Sequence, residues 1–227
     1  VEMRSLIWQG KDLIEPLTGR IYPESNGIID LVAEEERYSD LGDSNHYDRF
    51  PYEFADWSDK NSIYHAIEDG LKGFLETIPQ DHLICDIGCG AGRVSAYLAA
   101  TGRQNVLPLD YSRRSLEITK QNVPPPVIRA NTLRLPLKSE SIDVVISTGV
   151  IHYTSEPVKA LSESCRVLKT GGKMYLKGYR RGSYYHFLHI FIGGFLRLAR
   201  KKDSKNTNWL DGCAFQVYCW VSGQLKR

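Results

Sequence analysis

The residues best suited to chemistry fall in one short run, Leu83-Ile84-Cys85-Asp86-Ile87-Gly88-Cys89-Gly90-Ala91-Gly92-Arg93. A buried strand that leads through three alternating glycines into a helix brings backbone close to a ligand and aims helix N-terminal N–H groups at it. Asp110 ends the next apolar run, where a carboxylate suits the hydroxyls of a ribose. Dinucleotide enzymes use a similar turn, so the glycines alone do not choose a cofactor. Asp86 helps to choose. A carboxylate two residues before the first glycine repels a pyrophosphate and favours a ligand that carries an ammonium group and no phosphate. S-adenosylmethionine is such a ligand.

A second group of candidates lies further along. His152, just beyond the apolar run Ile142 to Ser147, is placed to accept a proton at neutral pH, with packing beside the ligand as the alternative. Tyr153 reads as a wall of the acceptor pocket, and Tyr111, next to Asp110, either covers a flat ring or lies on the surface. Cys89 sits inside the glycine turn, where its backbone matters more than its sulfur, because Asp86 opposes a thiolate. Asp143 precedes its strand and reads as structural. Tyr184, Tyr185, His186 and His189 are candidates for the opposite wall of that pocket, and the aromatics from Tyr47 to Trp57 for a lid or an anchor. The two histidines lack a carboxylate at useful spacing, so no metal is expected.

These residues need a scaffold, and the apolar pattern supplies one. Ile63, Ile67, Leu71, Phe74 and Leu75 recur at helical spacing and predict one amphipathic helix over Ile63 to Ile78, stopped by Pro79. Short apolar runs then alternate with helical segments. The predicted strands are Leu83–Ile87, Asn105–Leu109, Val127–Ala130, Ile142–Ser147 and Lys173–Tyr179. The predicted helices span Gly92–Ala100, Ser112–Asn122 and Pro157–Leu168. Strands separated by helices in this rhythm imply βαβ units and a mostly parallel sheet with helices on both faces. Arg4 to Ile63 lacks sustained periodicity and is broken by Pro16, Pro23, Gly27, Gly42 and Pro51. The expected division is an irregular extension over 1–62 and an α/β domain over 63–227.

Composition sets outer bounds. A chain of 227 residues with 42% hydrophobic and 25% charged residues is globular, and its formal charge of +2 supplies no global field for nucleic acid or an anionic membrane. Five cysteines without a C-x-x-C pair suggest free thiols in a reducing, cytoplasmic setting. No secretory signal is visible, although the chain begins at Val1. The apolar segment Tyr184 to Ala199 is shorter than the roughly twenty residues that span a bilayer, so no transmembrane segment is expected.

The run Asp86 to Gly92 resembles the first motif of the class I S-adenosylmethionine-dependent methyltransferases, an acidic residue followed by G-x-G-x-G. Further segments follow in order. Pro108-Leu109-Asp110-Tyr111-Ser112 is similar to the family's second strand end, and Arg129-Ala130-Asn131-Thr132 to its third motif, with Asn131 where aspartate is usual. Ser141 to Tyr153 resembles the fourth strand and the loop that follows it, and Arg166 to Lys173 the turn into the fifth, with Thr170 where proline is commoner. The resemblance implies a Rossmann-like doubly wound fold. It also implies S-adenosyl-L-methionine as cofactor and S-adenosyl-L-homocysteine as product, held by Asp86, Gly88, Cys89, Gly90, Gly92, Asp110, Tyr111, Asn131, Thr132 and Thr148. For Asn131 the amide oxygen would accept from the adenine amino group.

The activity so implied is methyl transfer to an O or N of a small-molecule acceptor. Two alternatives remain open. Asp143 to Arg180 also resembles wobble-uridine tRNA methyltransferases, with Arg180, Arg181, Arg200, Lys201 and Lys202 available to phosphates. A chain with one clear strand after residue 179, at Phe215 to Val221, also suggests a cofactor-binding scaffold, an oligomer, or a half-enzyme completed by a partner subunit. Leu17 to Leu31 is similar to the end of a zinc-ribbon-like module that precedes bacterial methyltransferases and occurs in a tRNA methyltransferase activator, here without its cysteine pairs.

Overall fold

The computed structural model describes residues 7–9, 12–15, 20–22, 24–32, 60–124 and 126–178. Ahead of the domain, β1 (Ile7–Gln9), β2 (Asp12–Glu15) and β3 (Arg20–Tyr22) pair as an antiparallel sheet of three strands. A larger sheet of seven strands follows. Its members are β4 (Glu24–Ser25), β5 (Ile28–Asp30), β6 (Ile84–Ile87), β7 (Val106–Asp110), β8 (Val127–Arg129), β9 (Ile142–Thr148) and β10 (Leu168–Lys177). They lie in the order β10-β9-β6-β7-β8-β5-β4, all neighbours parallel except the β4–β5 hairpin.

The helices are α1 (Lys60–His65), α2 (Asp69–Glu76), α3 (Arg93–Ala100), α4 (Arg113–Thr119) and α5 (Pro157–Val167). One face of the sheet, with Ile84, Val144, Ile146 and Tyr175, packs against Ile63, Ile67, Leu71 and Leu75 and against Val94 and Leu98 of α3. The other face presents Cys85, Ile87, Leu109, Ile128 and Val145, with Val167 of α5 in the same cluster. Complete burial of β6 explains why its sequence is a continuous apolar run broken only by Asp86. From β6 the chain runs outward through β7 and β8, then returns to place β9 on the other side of β6. Such a reversal opens a crevice at the carboxyl ends of β6 and β9, the usual ligand position in doubly wound sheets.

Three expectations change. The segment 1–62 is not uniformly irregular. Ile28, Ile29 and Asp30 form β5 and pair with Val127, Ile128 and Arg129 of β8, with both isoleucines 1% exposed. A strand of three residues is too short to show period-two alternation, and its pairing partner lies nearly a hundred residues away. The single helix predicted over Ile63 to Ile78 is two helices, because Glu68 is extended, with φ −67 and ψ 145, and begins α2. Strand β10 starts earlier than predicted, with Leu168 pairing Ile142 before a register shift. The aromatics Tyr47 to Trp57, the pocket candidates Tyr184 and Tyr185, the basic run and the predicted final strand lie outside the described residues.

Candidate functional site

The glycine turn between β6 and α3 is tied down on every side. Gly88 and Cys89 N–H both donate to the Leu109 carbonyl, at 2.7 and 3.0 Å, so the turn hangs on the end of β7. Gly90 N–H donates to Asp110 Oδ2 at 2.8 Å, and the Thr119 hydroxyl of α4 donates to the Gly90 carbonyl at 2.8 Å. Two glycines are sterically required. Gly88 has φ +71 and a Cβ there would overlap Val150, while Gly92 has φ +85 and a Cβ would lie 2.8 Å from Thr119 Cγ2. Gly90 differs, since a Cβ on it meets nothing within 4 Å among the described residues. The middle of the turn therefore faces open space that a ligand can fill.

Asp110 stands beside that space, and Asp86 lies close enough to feel its charge. Asp86 is 1% exposed and accepts a hydrogen bond from Ser95 Oγ at 2.7 Å. Burial pushes its carboxyl up to about 6, while the Ser95 hydroxyl and the Arg93 guanidinium pull it down and Asp110 pushes it up. Asp110 is held by backbone instead, accepting from Gly90 N–H and, through Oδ1, from Ser112 N–H at 2.8 Å. Ser112 then caps α4 by accepting from Ser115 N–H at 3.1 Å. Burial raises the Cys89 thiol well above its ordinary range, and Asp110 and Asp86 add to the effect, so the sulfur stays neutral.

At the end of β8, Asn131 and Thr132 are buried. Asn131 Oδ1 accepts from Leu133 N–H at 2.8 Å, so one of the two lone pairs expected to face an adenine amino group already serves a turn. Tyr111 lies beneath the Arg129 guanidinium, 5.2 Å from its ring centre, and its carbonyl accepts from Arg129 Nε at 2.9 Å. Arg129 Nη1 in turn meets Asp30 Oδ2 of β5 at 3.1 Å.

Across the crevice, Thr148 ends β9 and its Oγ1 accepts from Arg93 Nη2 at 3.4 Å. His152 and Tyr153 follow in a short 3-10 turn, Ile151–Tyr153, with ring centres 4.1 Å apart. The His152 ring packs beside Gly178, where a Cβ would stand 3.3 Å from Nδ1. Asp143 sits at the other end of the sheet, accepting from Leu83 N–H at 3.0 Å and Lys169 at 2.7 Å, in the structural role its position suggests.

The structure therefore gathers Asp86, Gly88, Cys89, Gly90, Gly92, Asp110 and Thr148 at the carboxyl ends of three adjacent strands. Sequence reasoning missed Glu68 and Lys177. Glu68 Oε1 lies 3.0 Å from Lys177 Nζ and Glu68 Oε2 lies 3.1 Å from Arg93 Nη1, with the Glu68 side chain 5% and the Lys177 side chain 8% exposed. No local signal marks Glu68, which falls within an otherwise helical pattern.

A methyltransferase-domain family matches residues 85–176, the stretch that contains the turn, both aspartates and strands β7 to β9. Residues 85–176 are a class I S-adenosylmethionine-dependent methyltransferase domain. S-adenosylmethionine is the cofactor of this domain class. The fold agrees with a Thermotoga maritima methyltransferase described as a possible histamine N-methyltransferase, at TM-score 0.50 and 25% identity, covering 64% of this chain and 66% of that one. A Haloferax volcanii complex containing the Trm112 methyltransferase activator has a chain of the same fold, at TM-score 0.51 and 20% identity, covering 66% of each chain.

Among curated relatives, an uncharacterized chloroplastic methyltransferase of Arabidopsis thaliana is 35% identical over 101 residues, or 40% of this chain and 29% of the relative. The probable tRNA methyltransferase 9B of Mus musculus is 33% identical over 109 residues, or 47% of this chain and 24% of the relative. The methyltransferase domain thus matches less than a third of either relative's length. Among the described residues, no helix is long and apolar enough to cross a membrane, and no cluster of His, Cys, Asp and Glu could hold a metal ion.

Proposed function

We propose that this protein transfers the methyl group of S-adenosylmethionine to an oxygen or nitrogen of a small-molecule acceptor. The observation that carries the reading is the open space at Gly90 beside Asp110, with the buried Asp86 carboxylate close enough to feel the Asp110 charge. In this reading Asp86 receives the ligand ammonium, Asp110 the ribose hydroxyls through its remaining lone pairs, and Asn131 and Thr132 the adenine edge. Gly88, Cys89, Gly90 and Gly92 present backbone, Tyr111 covers the base, and Thr148 closes the amino-acid end.

The cofactor supplies a methyl group already activated on a sulfonium, so the chain's own work is to orient the acceptor in line and keep water out. His152 takes a proton from an acceptor hydroxyl or amine as the new bond forms, and Tyr153, with Tyr184 and Tyr185, contacts the acceptor. The charge pattern favours a small acceptor. Among the described cations near the cleft, Arg93 and Lys177 pair with Glu68 and Arg129 with Asp30, which leaves them ill suited to a phosphate backbone. The Thermotoga maritima protein, described as a possible histamine N-methyltransferase, fits the same reading. The free thiols of Cys85, Cys89 and Cys165 suit a reducing, cytoplasmic setting.

A second reading is tRNA modification, favoured by the relatives that methylate tRNA, including the carboxymethyluridine enzyme of Mus musculus, 33% identical over 116 residues. One assay separates the two. Radiolabelled methyl transfer is measured with a panel of small amines and phenols and with bulk tRNA at low and high salt. Label in small molecules, abolished or strongly reduced in H152A with S-adenosylhomocysteine affinity unchanged, supports the first reading. Salt-sensitive label in tRNA alone would replace it. A monomer active by itself, checked by light scattering, excludes a half-enzyme that needs a partner subunit.

A further inference from the structure

Glu68 stands outside the matched domain, between α1 and α2, yet it touches the domain at two points. One carboxylate oxygen meets Lys177 at the end of β10 and the other meets Arg93, the first residue after the glycine turn. Arg93 Nη1 also donates to the Ala66 carbonyl at 2.7 Å and Nη2 to Thr148 Oγ1 at the end of β9. Through Arg93 the break between two N-terminal helices is joined to the turn and to β9, and through Lys177 to β10. Two cations share one carboxylate in a nearly closed space, and Arg93 lies close enough to Asp86 to favour its ionised form. Helix interruption has a visible purpose here, since a continuous helix through 66–68 would keep the Ala66 carbonyl inside its own ladder.

We infer that Glu68 is a positioning residue that locks Arg93 and Lys177 against the amino-acid end of the cofactor cleft and so sets the affinity of that end alone. The inference rests on the cofactor reading proposed above. It assigns the N-terminal helices a role in cofactor binding that motif matching over 85–176 does not reveal. The nucleoside end depends on different contacts, namely Asp110 with Ser112, Asn131 with Leu133, and Arg129 with Tyr111. A loss at Glu68 should therefore be felt by a ligand with an amino-acid tail and ignored by one without it.

The experiment compares S-adenosylhomocysteine with 5′-methylthioadenosine, which keeps the nucleoside and lacks the tail, by calorimetry on the full chain. In E68Q, affinity for the first should fall by tenfold or more and for the second by less than twofold. E68D should recover part of the loss. If E68Q does not fold, the double variant E68Q/K177Q, which removes one buried charge of each sign, is measured with the same two ligands. Equal losses for both ligands, or no loss for either, would overturn the inference. A wild-type protein that binds neither ligand would instead overturn the cofactor reading, so the two failures are distinguishable.

Discussion

Asp86 and Asp110 stand near the carboxyl ends of neighbouring strands, and the sequence marks both as ligand carboxylates, yet the structure treats them differently. Asp110 accepts two backbone N–H groups, one from the turn and one from the start of α4, so its charge also organises the loops around it. Asp86 is fully buried and takes its hydrogen bonds from one residue, Ser95, through the hydroxyl at 2.7 Å and the backbone N–H. One carboxylate is satisfied by its own fold. The other is held in a state that a ligand cation would relieve. The same motif thus holds two carboxylates in different settings, and the difference is visible only in their donors and their burial.

The largest effect should come from destroying the turn that both aspartates share. Gly88→Ala combines a left-handed backbone with overlap of Val150, and is expected to cost about 2–5 kcal/mol and to lower the thermal midpoint markedly. An unchanged midpoint would mean that the turn can relax, and the two carboxylates would not be mechanically linked.

Next comes a test that pulls stability and binding apart at Asp86. Its carboxyl is raised from 3.8 to about 6, so in the ligand-free protein its contribution favours the fold at low pH and is lost as the pH rises through about 6. Asp86→Asn should therefore raise ligand-free stability at pH 7, by an upper bound of about 3 kcal/mol, while weakening S-adenosylhomocysteine binding roughly 10–100-fold. Wild-type affinity should fall as the pH drops below about 6. Asp110→Asn should behave differently, lowering stability by about 1–2 kcal/mol because the carboxamide accepts less well from Gly90 and Ser112. Parallel responses in the two variants would erase the contrast.

The smallest effect probes the brace behind the turn. Thr119→Val keeps the packing against Gly92 and removes the donor to the Gly90 carbonyl. It should cost about 0.5–1.5 kcal/mol and less than fivefold in affinity, read by denaturant titration and calorimetry. A loss as large as that of Asp86→Asn would show that the hydroxyl, and not the aspartates, governs the cleft.

Much of this was legible beforehand because it is local. The buried strand before Gly88, the alternation of glycines, Asp110 ending the next strand and Ser112 capping a helix are all written in consecutive residues. The β5 strand and the break at Glu68 were not. β5 is three residues long and exists because Ile28 and Ile29 find β8. Glu68 leaves its helix because Arg93 and Lys177 wait for it across the fold. Neither cause lies within a window that periodicity can sample.

By itself the sequence determined the α/β rhythm, the parallel sheet and the residues of the glycine turn, since apolar spacing and glycine conformation are short-range properties. Only the tertiary structure decided that Asp86 is buried against Ser95, that Asp110 is bound by the N–H groups of two loops, and that Glu68 joins the N-terminal helices to Arg93 and Lys177. Burial, hydrogen-bond partners and ion pairing depend on which distant segments meet, and that meeting is a property of the packed whole.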